Sequence, residues 1–303
     1  MKISYYWPEQ TDWCAYWASK ESKTRVGPLV KFFALTYAVT WTFFITAVLL
    51  SHGTGSTDQT LGVVRGLLVF IGTIAPALVA LVITAGAGGL SEVRTLLRRL
   101  FKWRVGARWY LFAVSYMVLI KLTVALAHRV ITGSWPRFDP QPLGTIIVGI
   151  IISTPYQSGE EIGWRGYALP RLAERTGLAR GSILLGLIWA CWHLPLFFLL
   201  APGNDEYGQS FPVWALGVTA LSVAIAWLYT HTNGSLLLTM LMHSAVNNIP
   251  HFFPSVAANA NNTFSLHASV VAWLTAMVLW TSAVYFLVRM RHIETEPTTP
   301  QGR

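Results

Sequence analysis

Apolar residues in this chain fall in blocks long enough to cross a bilayer, and nothing else in the sequence constrains the fold as much. A spanning helix needs about 20 mostly apolar residues, with a range of roughly 17–25. Eight blocks reach or approach that length, at about 29–50, 63–85, 109–128, 143–164, 181–200, 213–230, 235–250 and 268–289. The expectation is an all-α polytopic membrane helical bundle with about eight transmembrane helices. The seventh block is short, so helix tilt or bilayer thinning has to absorb the difference. Charged residues are only 12% of the chain, against roughly 25% in soluble domains. Mean hydropathy is +0.48. These values exclude a disordered chain, which needs low hydrophobicity and high charge, and they argue against a soluble globule.

Charge position then predicts orientation. The net charge is +9, and 18 of the 22 Lys and Arg residues fall on one side of an eight-span layout. They cluster at Lys2–Lys31, Arg94–Arg108, Arg165–Arg180 and after Arg289, while the connections 201–212 and 251–267 carry none. The positive-inside rule places both termini in the cytoplasm and 251–267 outside. Topology thereby accounts for the basic balance, and nucleic acid is not expected as a partner. Arg outnumbers Lys 16 to 6, which hints at a GC-rich bacterium and hence its plasma membrane. The stretch Ser91–Lys102 is amphipathic. Val93, Leu96, Leu97, Leu100 and Phe101 share one face, and Arg94, Arg98 and Lys102 line another, as in a helix lying against anionic lipid or equally in a basic cytoplasmic connector. The first 28 residues lack the apolar core of a cleaved signal. Cys14 and Cys191 form neither a disulfide framework nor a metal pattern, and Cys191 reads as a core residue.

Three clusters carry polar groups to membrane depth, where an ionisable side chain costs roughly 2.5–3.5 kcal/mol or more. In Glu160-Glu161-Ile162-Gly163-Trp164-Arg165, Glu161 and Arg165 are four apart and share a helix face. Glu160 points about 100° away, without a partner in its own helix. In Trp189-Ala190-Cys191-Trp192-His193-Leu194-Pro195, Pro195 removes a backbone hydrogen bond and opens a kink beside His193. In Met242-His243-Ser244-Ala245-Val246-Asn247-Asn248, His243 and Asn247 stand one turn apart. Each cluster alone also fits an interfacial charge group, a packed histidine or an interhelical hydrogen bond. Together they place a carboxylate among imidazoles, a pair suited to activating water, with amide or imidazole donors for a tetrahedral oxyanion.

These motifs resemble the CPBP intramembrane proteases, also called the CAAX-protease and bacteriocin-processing, or Abi, family. The family's Glu-Glu-x-x-x-Arg, aromatic-x-x-x-His and His-x-x-x-Asn motifs match Glu160-Glu161-x-x-x-Arg165, Trp189-x-x-x-His193 and His243-x-x-x-Asn247. Gly166, Leu172 and Pro195 extend the match. Trp189 departs from the family's commoner Phe. The resemblance covers roughly 145–250. It implies an endopeptidase in which Glu160 and His193 activate water, His243 and Asn247 complete the site or hold the oxyanion, and Glu161 and Arg165 fix the constellation. The spans, the charge pattern and the resemblance together divide the chain into a cytoplasmic N-terminal segment (1–28), N-terminal spans with the basic amphipathic segment (29–142), a catalytic membrane core (143–250), an outer loop with the last span (251–293) and a polar cytoplasmic tail (294–303).

The family is often labelled metalloprotease, and Glu160, His193 and His243 could supply the three protein ligands of a catalytic zinc. Glu161 would then have to act as base, which its pairing with Arg165 disfavours. The reading adopted is a metal-free glutamate mechanism with zinc kept as an alternative. The implied partners are the lipid bilayer and a membrane-associated peptide or protein substrate. A prenylated CAAX tail, a bacteriocin precursor, a leader peptide and an anti-sigma factor all fit. A non-catalytic immunity or scaffold protein of the same fold is the alternative function. A proton-coupled transporter, with Lys121 in its path, fits less well, because the chain has no inverted repeats.

Overall fold

The computed structural model describes residues 26–52, 59–136, 138, 142–198, 210–249, 263–264, 266 and 268–295. Most of the connections 201–212 and 251–267, the N-terminal segment with Cys14, and the end of the C-terminal tail lie outside the described residues. The described elements are all helical. They are α1 (Val26–His52), α2 (Gln59–Arg98), α3 (Ala107–Thr132), α4 (Leu143–Tyr156), α5 (Ser158–Glu161), α6 (Leu169–Thr176), α7 (Leu178–Trp192), α8 (Phe211–His231), α9 (Leu236–Asn248) and α10 (Val270–Thr295). A wider π-helical segment, Ile162–Ala168, joins α5 to α6, and tight 3-10 turns follow α2 and α7.

Six stretches are long and apolar enough to cross a membrane: Gly27–Ser51, Gln59–Phe101, Ala107–Thr132, Leu178–Phe198, Phe211–His231 and Val270–Arg291. The protein is thus an all-α polytopic membrane bundle; among the described residues six helices meet this length and hydropathy, and the two further blocks of the expected eight form shorter helices. The fourth and seventh apolar blocks give shorter helices of 14 and 13 residues. Pro155 denies α4 a backbone donor near its end, and at Gln157 the chain turns into α5. α4 presents Ile147, Val148, Ile151 and Ile152 outward, as a lipid-facing helix does. α9 is the opposite case: Leu236, Leu238, Met242 and Ala245 are fully buried within the bundle.

Lipid tails are as apolar as leucine, so helix association in a bilayer rests on close packing and interhelical hydrogen bonds. Both are visible around α8, which is buried continuously from Val218 to Tyr229 between α7, α9 and α10. Ser182 and Gly186 lie one turn apart on α7. Ser222 on α8 donates to the Ser182 carbonyl at 3.0 Å, and a Cβ at Gly186 would meet Thr219 Cα at 2.8 Å. α4 and α9 are joined by Ser244 Oγ donating to Ile150 O at 2.8 Å and by Asn248 Nδ2 donating to Ser153 Oγ at 2.9 Å.

The segment carrying the glutamates lies directly on α2. A Cβ at Gly163 would come within 2.7 Å of the Pro76 carbonyl carbon and oxygen, backbone atoms that cannot swing aside. Gly163→Ala should therefore destabilise the protein by about 1–3 kcal/mol. Gly66→Ala, whose added methyl meets nothing within 4 Å, should not. Melting of the two variants in detergent decides the point, and equal midpoints would contradict this contact.

α2 itself is broken at Gly89, whose left-handed backbone (φ 68°) no side chain adopts easily. Beyond it the expected amphipathic segment forms. Leu96 and Arg99 are buried, and Arg94 and Arg98 are exposed.

Candidate active site

Glu160 and Glu161 sit at the end of α5, where the chain widens into the π-helical segment. There the N–H of Leu169 reaches back five residues to Trp164 O. Such segments are uncommon and recur at functional sites. Every residue from Gly159 to Leu169 is buried, against α2 on one side and against α7 and α9 on others.

Glu161 and Arg165 are both fully buried, and Arg165 Nη1 donates to Glu161 Oε1 at 2.7 Å. The same oxygen accepts from His243 Nδ1 on α9, at 2.8 Å. A carboxylate only accepts, so a His243 proton sits on Nδ1. Nε and Nη2 of Arg165 have no hydrogen-bond partner among the described residues. The guanidinium carbon lies 4.3 Å from the centre of the Trp189 ring, within cation–π range.

Glu160 is 4% exposed. Its Oε2 accepts a hydrogen bond of 2.7 Å from Trp189 Nε1 on α7. The sequence leaves Glu160 without a partner in its own helix, and the bundle supplies one from another. The Trp189 ring also packs edge-on against His243 and His193, with centroids 5.1 and 5.7 Å away. One indole thus touches Glu160, Arg165, His193 and His243. From the sequence, Trp189 was legible only as the aromatic residue of its motif. Its N–H, which Phe lacks, makes the hydrogen bond to Glu160.

His193 caps the end of α7. Pro195 cannot continue an α-helix, and the chain tightens into Leu194–Phe198, with Leu196 N donating to His193 O at 2.9 Å. The kink expected from Pro195 is thus a helix end. His193 Nδ1 lies 2.9 Å from Trp189 O. A carbonyl only accepts, so Nδ1 carries the proton and Nε2 is the basic nitrogen. Glu160, His243 and Arg165 all act on His193 electrostatically, and its ring is walled by Trp192 and Trp214 at 4.5 and 5.0 Å.

Two expectations differ. Asn247 is exposed, one turn beyond His243, and does not join the buried hydrogen-bond cluster. Its neighbour Asn248 donates to Ser153 Oγ on α4 and to Ser244 O in its own helix. Cys191, read as core, is exposed, because it sits two positions from His193, on another face of α7.

The zinc alternative can be set against this donor set. Among the described residues no three His, Cys, Asp or Glu side chains come together as a group that could hold a metal ion. Glu160 Oε2 is engaged by Trp189, and Glu161 Oε1 by Arg165 and His243. Glu160, His193 and His243 do not gather as such a group among the described residues.

The fold and the cluster define a polytopic membrane protein with a buried carboxylate–imidazole–guanidinium centre. Residues 140–249 match the family model described as type II CAAX prenyl endopeptidase Rce1-like, a range that contains all three motifs. The chain is also 23% identical over 232 residues to CAAX prenyl protease 2 of Methanococcus maripaludis, covering 71% of this chain and 81% of that protein. Both comparisons point the same way, to similarity with CAAX prenyl endopeptidases.

Proposed function

We propose that this protein is an intramembrane endopeptidase in which Glu160 and His193 activate the hydrolytic water. The observation that supports this most directly is the shared enclosure of Glu160, His193, His243 and Arg165 around Trp189. Glu160 accepts a proton from water as the hydroxide oxygen attacks the scissile carbonyl carbon. His193 Nε2 holds or relays that proton, and the leaving amine takes it as the C–N bond breaks. This returns Glu160 to its carboxylate form. The oxyanion is met by a donor from α9, with Asn247 on the exposed side of His243 as the amide in reach of a substrate. Glu161, Arg165 and the Nδ1–H of His243 hold the geometry.

The substrate class is a peptide or protein anchored in the membrane. A prenylated CAAX tail is the form that the relative's name supplies. The basic asymmetry of the sequence further supports both termini facing the cytoplasm.

The test is cleavage of a membrane-anchored peptide by the purified protein in proteoliposomes. Wild type should cleave, and His193→Ala should cleave ~10²–10⁴-fold more slowly, the share of a general acid–base group. A wild type that binds but never cleaves across the four substrate classes above would favour the scaffold reading.

A further inference from the structure

A second feature lies away from the glutamates, at the end of the bundle where one span stops at Phe101 and the next begins at Ala107. A cavity of about 360 Å³ opens there between the 99–106 connection, the start of α3 and the α8–α9 turn. That is within the size range of small-molecule sites. Lys102, Arg104, Trp103, Trp109, His231 and Asn233 line it, and among the described residues no Asp or Glu does.

The cavity is a built one. Lys102 is half-buried, and its Nζ donates to Asn233 O at 2.7 Å. Ser235 Oγ donates back to Lys102 O at 2.7 Å. Asn233 has a left-handed backbone (φ 53°), and its buried Oδ1 has no hydrogen-bond partner among the described residues. His231 is sandwiched between Trp227 and Trp109, with centroids 3.6 and 5.0 Å away. The guanidinium of Arg104 lies over Trp103 and that of Arg108 over Trp109, both at 5.1 Å. Arg99 acts on Lys102, and Arg108 and Arg289 act on His231. These charges around the cavity are all positive. On its rim, Phe101 and Trp103 are 77% and 59% exposed, as aromatic residues are at a membrane–water interface.

We infer that this cavity binds the headgroup of an anionic phospholipid of the phosphatidylglycerol type, drawn from the leaflet at that end of the bundle. The phosphate meets Lys102 and Arg104, and the acyl chains leave past Phe101 and Trp103. A zwitterionic headgroup would bring a second cation into a cavity already positive. Free phosphate would leave the aromatic rim unused. The site does not depend on the peptidase reading.

The experiment titrates purified protein in non-ionic detergent with short-chain phosphatidylglycerol, with short-chain phosphatidylcholine, or with inorganic phosphate, and reads the melting temperature. Phosphatidylglycerol should stabilise saturably and the other two should not. Each of Lys102→Gln and Arg104→Gln should weaken the response about fivefold, the equivalent of ~1 kcal/mol per basic residue at a membrane surface. Arg104 is exposed, so its variant tests the site even if Lys102→Gln does not fold.

Burial, with Arg99 adding to it, lowers the pKa of Lys102 to about 8. Its charge is therefore present below that pH and lost above it. The arginines facing it keep theirs, so binding should be weaker at pH 9 than at pH 7. Equal responses to phosphatidylglycerol and phosphatidylcholine would overturn the inference. So would a response to phosphate alone, or an Arg104→Gln protein that binds as wild type does.

Discussion

Glu160→Gln should leave the protein folded and slow peptide cleavage by ~10²–10⁴-fold, the contribution of a general base. The substitution is isosteric, and a Gln carbonyl oxygen can accept the Trp189 hydrogen bond that Glu160 Oε2 accepts at 2.7 Å. What it cannot do is take a proton from water. Trp189→Phe provides a graded companion. It keeps a ring for Arg165 and the two histidines but removes the N–H. A hydrogen bond to a charged group contributes about 1.5–3 kcal/mol. If that bond holds Glu160 in its reactive position, kcat should fall roughly 10- to 100-fold with KM little changed. Cleavage of an anchored reporter, with melting measured on the same samples, reads both. Wild-type rates from Glu160→Gln would sink the catalytic assignment and move the scaffold reading ahead.

The companion glutamate should behave in the opposite way. Glu161→Gln removes the charge that Arg165 faces at 0% exposure and weakens the acceptor that holds His243 Nδ1. Breaking a buried pair by removing one partner costs roughly 3–5 kcal/mol, because the remaining charge is left uncompensated. Expression and melting temperature should both drop, along with activity. Replacing Arg165 by Gln in the same protein should recover part of the stability, since no charge is then stranded, yet no activity, since His243 loses the carboxylate that sets its tautomer. Should Glu160→Gln destabilise while Glu161→Gln only inactivates, the two glutamates have exchanged roles.

How much of this was legible in advance follows the range of each interaction. The Glu161–Arg165 pair is four residues apart, and helical periodicity alone puts the two side chains on one face. The π-helical widening that follows does not separate them. Six of the eight apolar blocks gave uninterrupted helices long enough to span. The fourth is interrupted at Pro155 and Gln157 and continues as α5 and the π-helical segment, a local backbone event that a hydropathy window averages away. Asn247 and Cys191 show the limit of face arguments on a single helix. Whether a given face of α9 or α7 is covered depends on which helices stand beside it.

The sequence by itself determined the environment: an all-α bundle in lipid, because a 12% charged chain with long apolar runs can satisfy its backbone in a bilayer only within helices. It also determined which side chains stand out there, because ionisable groups at that depth are costly and therefore few. The partners of those groups were decided only by the tertiary structure. Glu160 meets an indole 29 residues away, and Glu161 meets an imidazole 82 residues away. Both contacts exist because Gly163 allows its segment to lie against Pro76 of α2, in a bundle where α7 and α9 also reach that segment. Such contacts depend on how closely backbones can approach, to a few tenths of an ångström, and on which helices become neighbours. A one-dimensional pattern of apolar and polar residues specifies neither.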